Sequence, residues 1–324
     1  MILDRKEEVI KYLNQEGLIT GNDDPLVEHL SGGVSCRVWK ISVNFDRWVI
    51  KQALEKLDVK ADWFSDVERI HREHEVMKQL ELVIPECNIP KILHVDYVNH
   101  IYLMTCAEEG VHTWKELLMD GIFNVDTAKS AAEILSQIHS QSYKIDEQVK
   151  LGFSDQKYFI QLRVDPFHRF LISKYPKLSS EINGLIKELT EQKTCLVHGD
   201  FSPKNMLVEK IGSIVLIDYE VAHWGNPVFD IAYCLGHLML KAWHLNKPAE
   251  LLKLISGFIT NYKGQVSNLL PHLGLMLLAR MDGKSPVNYI QDEKLKQIIR
   301  DKAINWIRGG DSGLHVLDAI KKQF

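Results

Sequence analysis

The stretch Cys195–Val208, CLVHGDFSPKNMLV, decides how the rest of the chain is read. Apolar ends enclose a polar middle that holds His198, Gly199, Asp200, Ser202, Pro203, Lys204 and Asn205. Directly after it, MLVE and SIVLID are two β-forming runs joined by residues 210–212, the pattern of a tight hairpin. A hairpin brings its two ends together, so Asn205 ahead of the first strand should lie beside Asp218 at the end of the second. An amide oxygen next to a carboxylate is a pair of hard ligands suited to Mg²⁺, which takes few protein ligands and completes its shell from water and phosphate. Asp200 stands ahead of that pair, where a group that accepts a hydroxyl proton belongs. A lone Asp or Asn in a loop is ordinarily a turn former. The combination H-x-D-x-x-x-x-N, strand, turn, strand, Asp is far more specific, and it points to phosphoryl transfer.

The remainder of the chain bounds that reading. With 324 residues, 45% hydrophobic and 25% charged, it has the composition of a soluble globular protein of one large domain or two ordinary ones. A formal net charge of −4 supplies no global field for nucleic acid or an anionic membrane, so neither is expected as a partner. Cys36, Cys87, Cys106, Cys195 and Cys234 are scattered and form no CxxC pair. Buried thiols in a reducing cytoplasm are the expectation, rather than zinc or disulfides. MILDRKEEVIKYLNQEG reads as an amphipathic helix and not a signal peptide, and no apolar run approaches the ~18 residues of a membrane span.

Before residue 107 the patterning is strand-rich. EHLSGGVSCRVWKISV predicts two strands around Gly32 and Gly33, WVIKQAL a third, and KILHVDYV and HIYLMTCA two more. One helix is expected over 66–80, with Val67, Ile70, Met77 and Leu80 on one face. Beyond Ala107 the pattern is helical except for the hairpin. The expected fold class is therefore α+β, with a small β-rich lobe over 1–106 and a large, mainly helical lobe over 107–324.

HGDFSPKN together with LIDYE resembles the aminoglycoside-phosphotransferase family, a branch of the bilobal protein-kinase-like fold. The resemblance covers residues 25 to 300, with strong matches confined to short motifs, GNPVFDIAYCL among them. It implies ATP and Mg²⁺ as cofactors, Asp200 as the base, Asn205 and Asp218 on the metal, and Asp230 steadying the loop. It also implies that Lys51 contacts the ATP phosphates, held by a glutamate of the following helix. Glu73 lies about 40° from the centre of that helix's apolar face and Glu75 about 160° away, so Glu73 is the choice. Ser31, Gly32 and Gly33 depart from GxGxxG, yet two glycines let backbone N–H groups approach phosphates. The carbonyl of Thr105 and the N–H of Ala107 are the implied adenine contacts, with Cys106 between them a packed thiol.

The implied acceptor is a hydroxyl of a small molecule, sugar-like or an amino alcohol. Arg163, Asp165, His168 and Arg169, or Arg280, Asp282 and Lys284, are the candidate acceptor contacts, with surface charge as the bland alternative. The small lobe is similar to that of methylthioribose kinases, through its VIKQAL strand and a Trp-containing loop before the helix. Three rival readings stay open: an antibiotic kinase, a non-catalytic nucleotide binder of the same fold, and a hydrolase using Asp200 and Asp218 as an acid–base pair. DGKS at 282–285 fails as a Walker A motif because Leu278 occupies the first glycine position. HREH at 71–74 is set aside as a metal site for want of a nearby third ligand. Ser202, Pro203 and Lys204 are read as shaping the loop.

Overall fold

Apolar residues at successive positions bury both faces of the inner strands of a sheet whose edge strands stay more exposed. In the computed structural model, which describes residues 1–30, 35–57, 64–84, 88–210 and 212–324, five strands pair antiparallel in the order β1-β2-β3-β5-β4. They are β1 Leu26–His29, β2 Cys36–Val43, β3 Asp46–Ala53, β4 Ile92–Asp96 and β5 Ile101–Thr105. Trp39, Ile41, Val43, Ile50, Ile101 and Leu103 face helix α1, Lys6–Gln15, and pack on its Val9, Tyr12 and Leu13. The alternate residues Cys36, Val49, Ala53, Tyr102 and Met104 join the cluster of helix α2, Arg69–Val83, which contributes Ile70, Val76, Met77 and Leu80. Because side chains alternate with period two, Lys51 shares the α2 face with Val49 and Ala53. Helix α2 starts three residues later than the periodicity predicts. Asp66 Oδ1 accepts the Glu68 N–H at 2.9 Å, so the chain spends Asp66 on a turn instead of a first helical turn. Ser31, Gly32 and Gly33, the expected phosphate cover, lie outside the described residues.

The rest is mainly helical. Strand β6 His112–Thr113 leads into α3 Trp114–Met119, α4 Val125–Gln141, α5 Glu147–Phe153 and α6 Lys157–Phe159. A wide-wound helix, Ile160–Arg169, then carries Pro166 in its interior, where a normally wound helix would lose a hydrogen bond and clash. It continues through α7 Phe170–Lys174 to α8 Ser179–Glu191. The short strands β7 Cys195–Val197, β8 Met206–Lys210, β9 Ser213–Leu216 and β10 His223–Gly225 follow, then α9 Val228–Leu245, α10 Pro248–Asn261, α11 Leu269–Asp282, α12 Glu293–Ile307 and α13 Val316–Lys321. The expected hairpin is present as β8–β9, with Met206 opposite Leu216, and β6 extends it by a third strand. Strand β7 pairs instead with β10, so the polar loop spans two separate sheets. A small β-sheet lobe followed by a mainly helical one is the α+β architecture expected. Among the described residues, no helix is long and apolar enough to cross a membrane.

Candidate active site

The loop after β7 is tied down at its start. Gly199 adopts φ +78°, and a Cβ there would meet the Val221 carbonyl oxygen at 2.8 Å, so only glycine fits. The N–H groups of His198 and Gly199 donate to Oδ2 and Oδ1 of the fully buried Asp230 at 2.7 and 2.8 Å, and His139 Nε2 adds a contact at 3.1 Å. Burial alone would raise the Asp230 carboxyl, but these partners hold it below the usual range. His198 Nδ1 accepts the Asp200 N–H at 3.1 Å, which leaves Nε2–H to donate to the Ile217 carbonyl at 3.2 Å. The imidazole thereby joins the loop to the segment that leads into Asp218.

Asp200 is 0% exposed. Its Oδ2 is met by Lys204 Nζ at 2.7 Å, Arg163 Nη2 at 2.9 Å and the side-chain N–H of Asn205 at 2.9 Å, while its buried Oδ1 has no hydrogen-bond partner among the described residues. Burial pushes the carboxyl up, and Arg163 and Lys204 more than reverse it, so Asp200 stays ionised below the usual carboxylate range. Lys204 therefore does more than shape the loop. One turn beyond Asp200, it also lies 3.7 Å from Asp218 Oδ2. Arg163 is delivered by the wide helix and donates as well to the Gly199 carbonyl at 3.0 Å. These bonds fix the loop from the side of the wide helix.

Lys51, Glu73 and Asp218 meet at the lobe junction. Lys51 Nζ stands 2.8 Å from Glu73 Oε1 and 2.8 Å from Asp218 Oδ1. Glu73 Oε1 also accepts the Tyr219 N–H at 3.2 Å, whereas Glu75 accepts from Gln79 on its own helix. Burial would neutralise Lys51, but Asp218 and Glu73 hold its pKa well above that of an ordinary lysine. Asp218 moves in the opposite direction, far below the carboxylate range, as burial is overcome by Lys51 and Lys204. Burial pushes Glu73 up to about 7 against the pull of Lys51. Asp218 has φ +75°, and the Ile217 N–H donates to the Asn205 carbonyl at 3.0 Å, which sets Asn205 against the end of the hairpin. Asn205 gives its amide N–H to Asp200, so its Oδ1 remains for a cation. With Asp218 Oδ2 this is an all-oxygen donor set, which fits a hard divalent ion. A second buried pair, Arg69 Nε with Glu220 Oε2 at 3.0 Å, ties α2 to the same segment.

At the junction, β5 ends on Thr105, and the Ala107 N–H donates to nothing among the described residues. The other acceptor candidates are mostly occupied elsewhere. Asp165 and Arg169 pair with each other at the surface, and His168 is buried. Asp282 is held by Tyr175 and Arg300, and the Lys284 N–H caps the Pro166 carbonyl. Arg280 bonds Ser285, and its guanidinium lies 5.5 Å over the Phe167 ring, which Arg163 approaches at 5.7 Å. Sequence reading missed Tyr233, His237 and Lys241 on α9, buried beside this region. The available signal is three polar residues four apart on a mainly apolar helix.

A buried lysine fixed by a helix glutamate, an acid after a short hairpin, and a carboxylate on the preceding loop define a small-molecule kinase of the protein-kinase-like fold. Residues 27–256 match the model of the phosphotransferase enzyme family, and the chain belongs to that family. By that family it is a phosphotransferase. It is 26% identical over 254 residues to a 4-hydroxytryptamine kinase of Psilocybe cyanescens, covering 67% of this chain and 68% of that protein. A Metamycoplasma hominis protein of undescribed activity is 34% identical over 88 residues, and the chain spans only 18% of its length. Among solved structures, an amicoumacin kinase bound to AMP-PNP and Ca²⁺ superposes with a TM-score of 0.60 at 11% identity, covering 94% of this chain and 96% of that one. A choline kinase from Streptococcus pneumoniae gives 0.52 at 15%, covering 94% and 99%. Both likenesses bear on fold alone.

Proposed function

We propose that Asp200 receives the acceptor hydroxyl, that Lys51 aligns the ATP phosphates, and that Asn205 and Asp218 hold Mg²⁺. On this reading ATP sits under the lobe of residues 1–106, with its adenine edge on Thr105 and Ala107 and with Ser31, Gly32 and Gly33 over the phosphates. The acceptor approaches from the lobe of residues 107–324, in a cytoplasmic enzyme. The observation that carries the reading is Asp200 Oδ1, a buried carboxylate oxygen with no partner on a carboxyl whose other oxygen is fixed three times over. Such an atom is preorganised to accept one hydrogen bond from a hydroxyl. Since Arg163 and Lys204 keep Asp200 below the usual carboxylate range, it is a poor proton abstractor. It orients the hydroxyl first and takes the proton late, as suits a loose transition state. Glu73 keeps the Lys51 ammonium in place against burial, and Lys204 stands between Asp200 and Asp218, near the charge in transfer. Mg²⁺, when bound, supplies charge neutralisation to the phosphates.

The cations on Asp200, Arg163 and Lys204, favour a neutral or anionic hydroxyl compound over a polycation. The likeness to a 4-hydroxytryptamine kinase favours a second reading, an acceptor that carries an amine. Asp200→Asn should lower kcat by about 10²–10⁴-fold with Mg·ATP affinity unchanged. Asp218→Ala should remove the Mg²⁺ dependence of nucleotide binding measured by calorimetry. Normal turnover in the first, or normal Mg·ATP binding in the second, defeats the corresponding role.

A further inference from the structure

Helix α2 and the β4–β5 turn bring together ligands that lie far apart in sequence. Glu68 precedes the helix, His71 lies in its first turn, and His100 reaches back from the turn with φ +52°. His71 Nε2 and His100 Nδ1 are 3.0 Å apart, and the Glu68 carboxylate oxygens lie 3.9 Å from His100 Nδ1 and 4.0 Å from His71 Nε2. Two imidazole nitrogens and one carboxylate oxygen thus face a single point, all within 4.8 Å of one another. HREH lacked a third ligand in sequence; the fold supplies two residues, one of them 29 positions beyond His71.

We infer that Glu68, His71 and His100 form a binding site for a borderline divalent transition ion of the Zn²⁺ class, separate from the nucleotide site. Ligands around a tetrahedral ion at 2.0–2.1 Å stand about 3.3 Å apart. The histidine pair needs to part by a few tenths of an ångström, and Glu68, whose side chain is 57% exposed, is free to swing inward. Nitrogen with oxygen donors selects this class of ion over Mg²⁺. The surroundings match what such a ligand requires. His71 Nδ1 lies 3.2 Å from Nε2 of the buried His74, so His71 can donate its second N–H there while Nε2 faces the ion. Tyr97 stacks on the His71 ring at 4.7 Å and fixes its plane. Three protein ligands leave a fourth position for water. The ion would fasten the β4–β5 turn to the start of α2, the helix that carries Glu73. None of Lys51, Glu73, Asp200, Asn205 and Asp218 is among its ligands, so the role is a clamp and not chemistry.

The test is calorimetric titration of the full chain with Zn²⁺ in excess Mg²⁺, so that sites open to Mg²⁺ do not count. The wild type should take up one more equivalent of Zn²⁺ than the His71→Ala/His100→Ala double variant. The Co²⁺-loaded wild type should show visible tetrahedral bands that the double variant lacks. Glu68→Ala, a change at an exposed carboxyl with no bearing on folding, should weaken Zn²⁺ binding at least about tenfold. Equal Zn²⁺ stoichiometry in wild type and double variant, or unchanged affinity in Glu68→Ala, overturns the site.

Discussion

Two buried polar regions of the helical lobe treat charge in opposite ways. Around the catalytic loop every buried acid has a partner: Asp200 has Arg163 and Lys204, Asp218 has Lys51, and Asp230 has two backbone N–H groups and His139. Between α9 and α11, among the described residues, there are cations without acids. Lys241 is 1% exposed and bonds the His237 carbonyl at 3.4 Å, with the Tyr289 ring 5.7 Å away. Arg280 Nε, His237 Nε2 and the Tyr289 hydroxyl are buried without partners among the described residues. Burying an ion is tolerable only when a counter-charge and hydrogen bonds replace water. The first region meets that condition before any substrate arrives, which is what a preorganised site needs. The second meets it only by shedding a proton or by meeting an anion.

The largest effect that tests this contrast comes from removing one arginine of each region. Arg163→Leu takes one of two cations from a fully buried carboxylate and should cost about 3 kcal/mol in urea unfolding. Arg280→Leu strands no acid and should cost at most about 1 kcal/mol. Both stack on the same Phe167 ring, so lost packing is comparable and the difference reports the charge. Equal losses would erase the distinction between the regions.

The same contrast explains what the sequence disclosed. Asp200, Asn205 and Asp218 stand at fixed offsets around one hairpin, so local geometry determines their meeting, and Lys51 with Glu73 follows from strand parity and helical angle. Arg163 is visible as a residue but its bonds to Asp200 and Gly199 are not, because a wide-wound helix around Pro166 aims it at the loop. Lys204 sits inside the motif itself, yet only the short helical turn Pro203–Asn205 folds it back onto Asp200. The start of α2 was misplaced because the Asp66 turn competes with helix periodicity. His100 could not be joined to His71 in advance, since the β4–β5 register that unites them is a long-range pairing.

Replacing the uncompensated lysine tests the second region directly. Lys241→Met keeps the volume and drops the charge, and should leave stability unchanged or raise it by about 2 kcal/mol. Burial, with Lys115 and Arg280 nearby, lowers the Lys241 pKa to about 7. The unfolded chain protonates the same group at about 10.4. Between those values the unfolded state binds more protons, so wild-type stability gains from rising pH. The advantage of Lys241→Met should therefore be larger at about pH 7 than at about pH 9.5. A pH-independent difference would mean that the ammonium is compensated after all.

The smallest effect concerns what the cations are for. If Arg280 and Lys241 complement the acceptor, two acceptors that share a hydroxyl but differ in charge should be separated by kcat/KM. A hydroxy acid should exceed its amino-alcohol counterpart by about tenfold, equivalent to about 1.4 kcal/mol. Arg280→Leu should shrink that ratio while leaving the ATP KM unchanged, because the guanidinium bonds Ser285 and lies over Phe167 and, among the described residues, bonds none of Lys51, Asn205 and Asp218. The sign follows from field and not from shape: both compounds present the same hydroxyl to Asp200, and only the distal group meets the cations. A preference for the amine would mean that the uncompensated cluster belongs to the core and that the acceptor lies elsewhere on the loop.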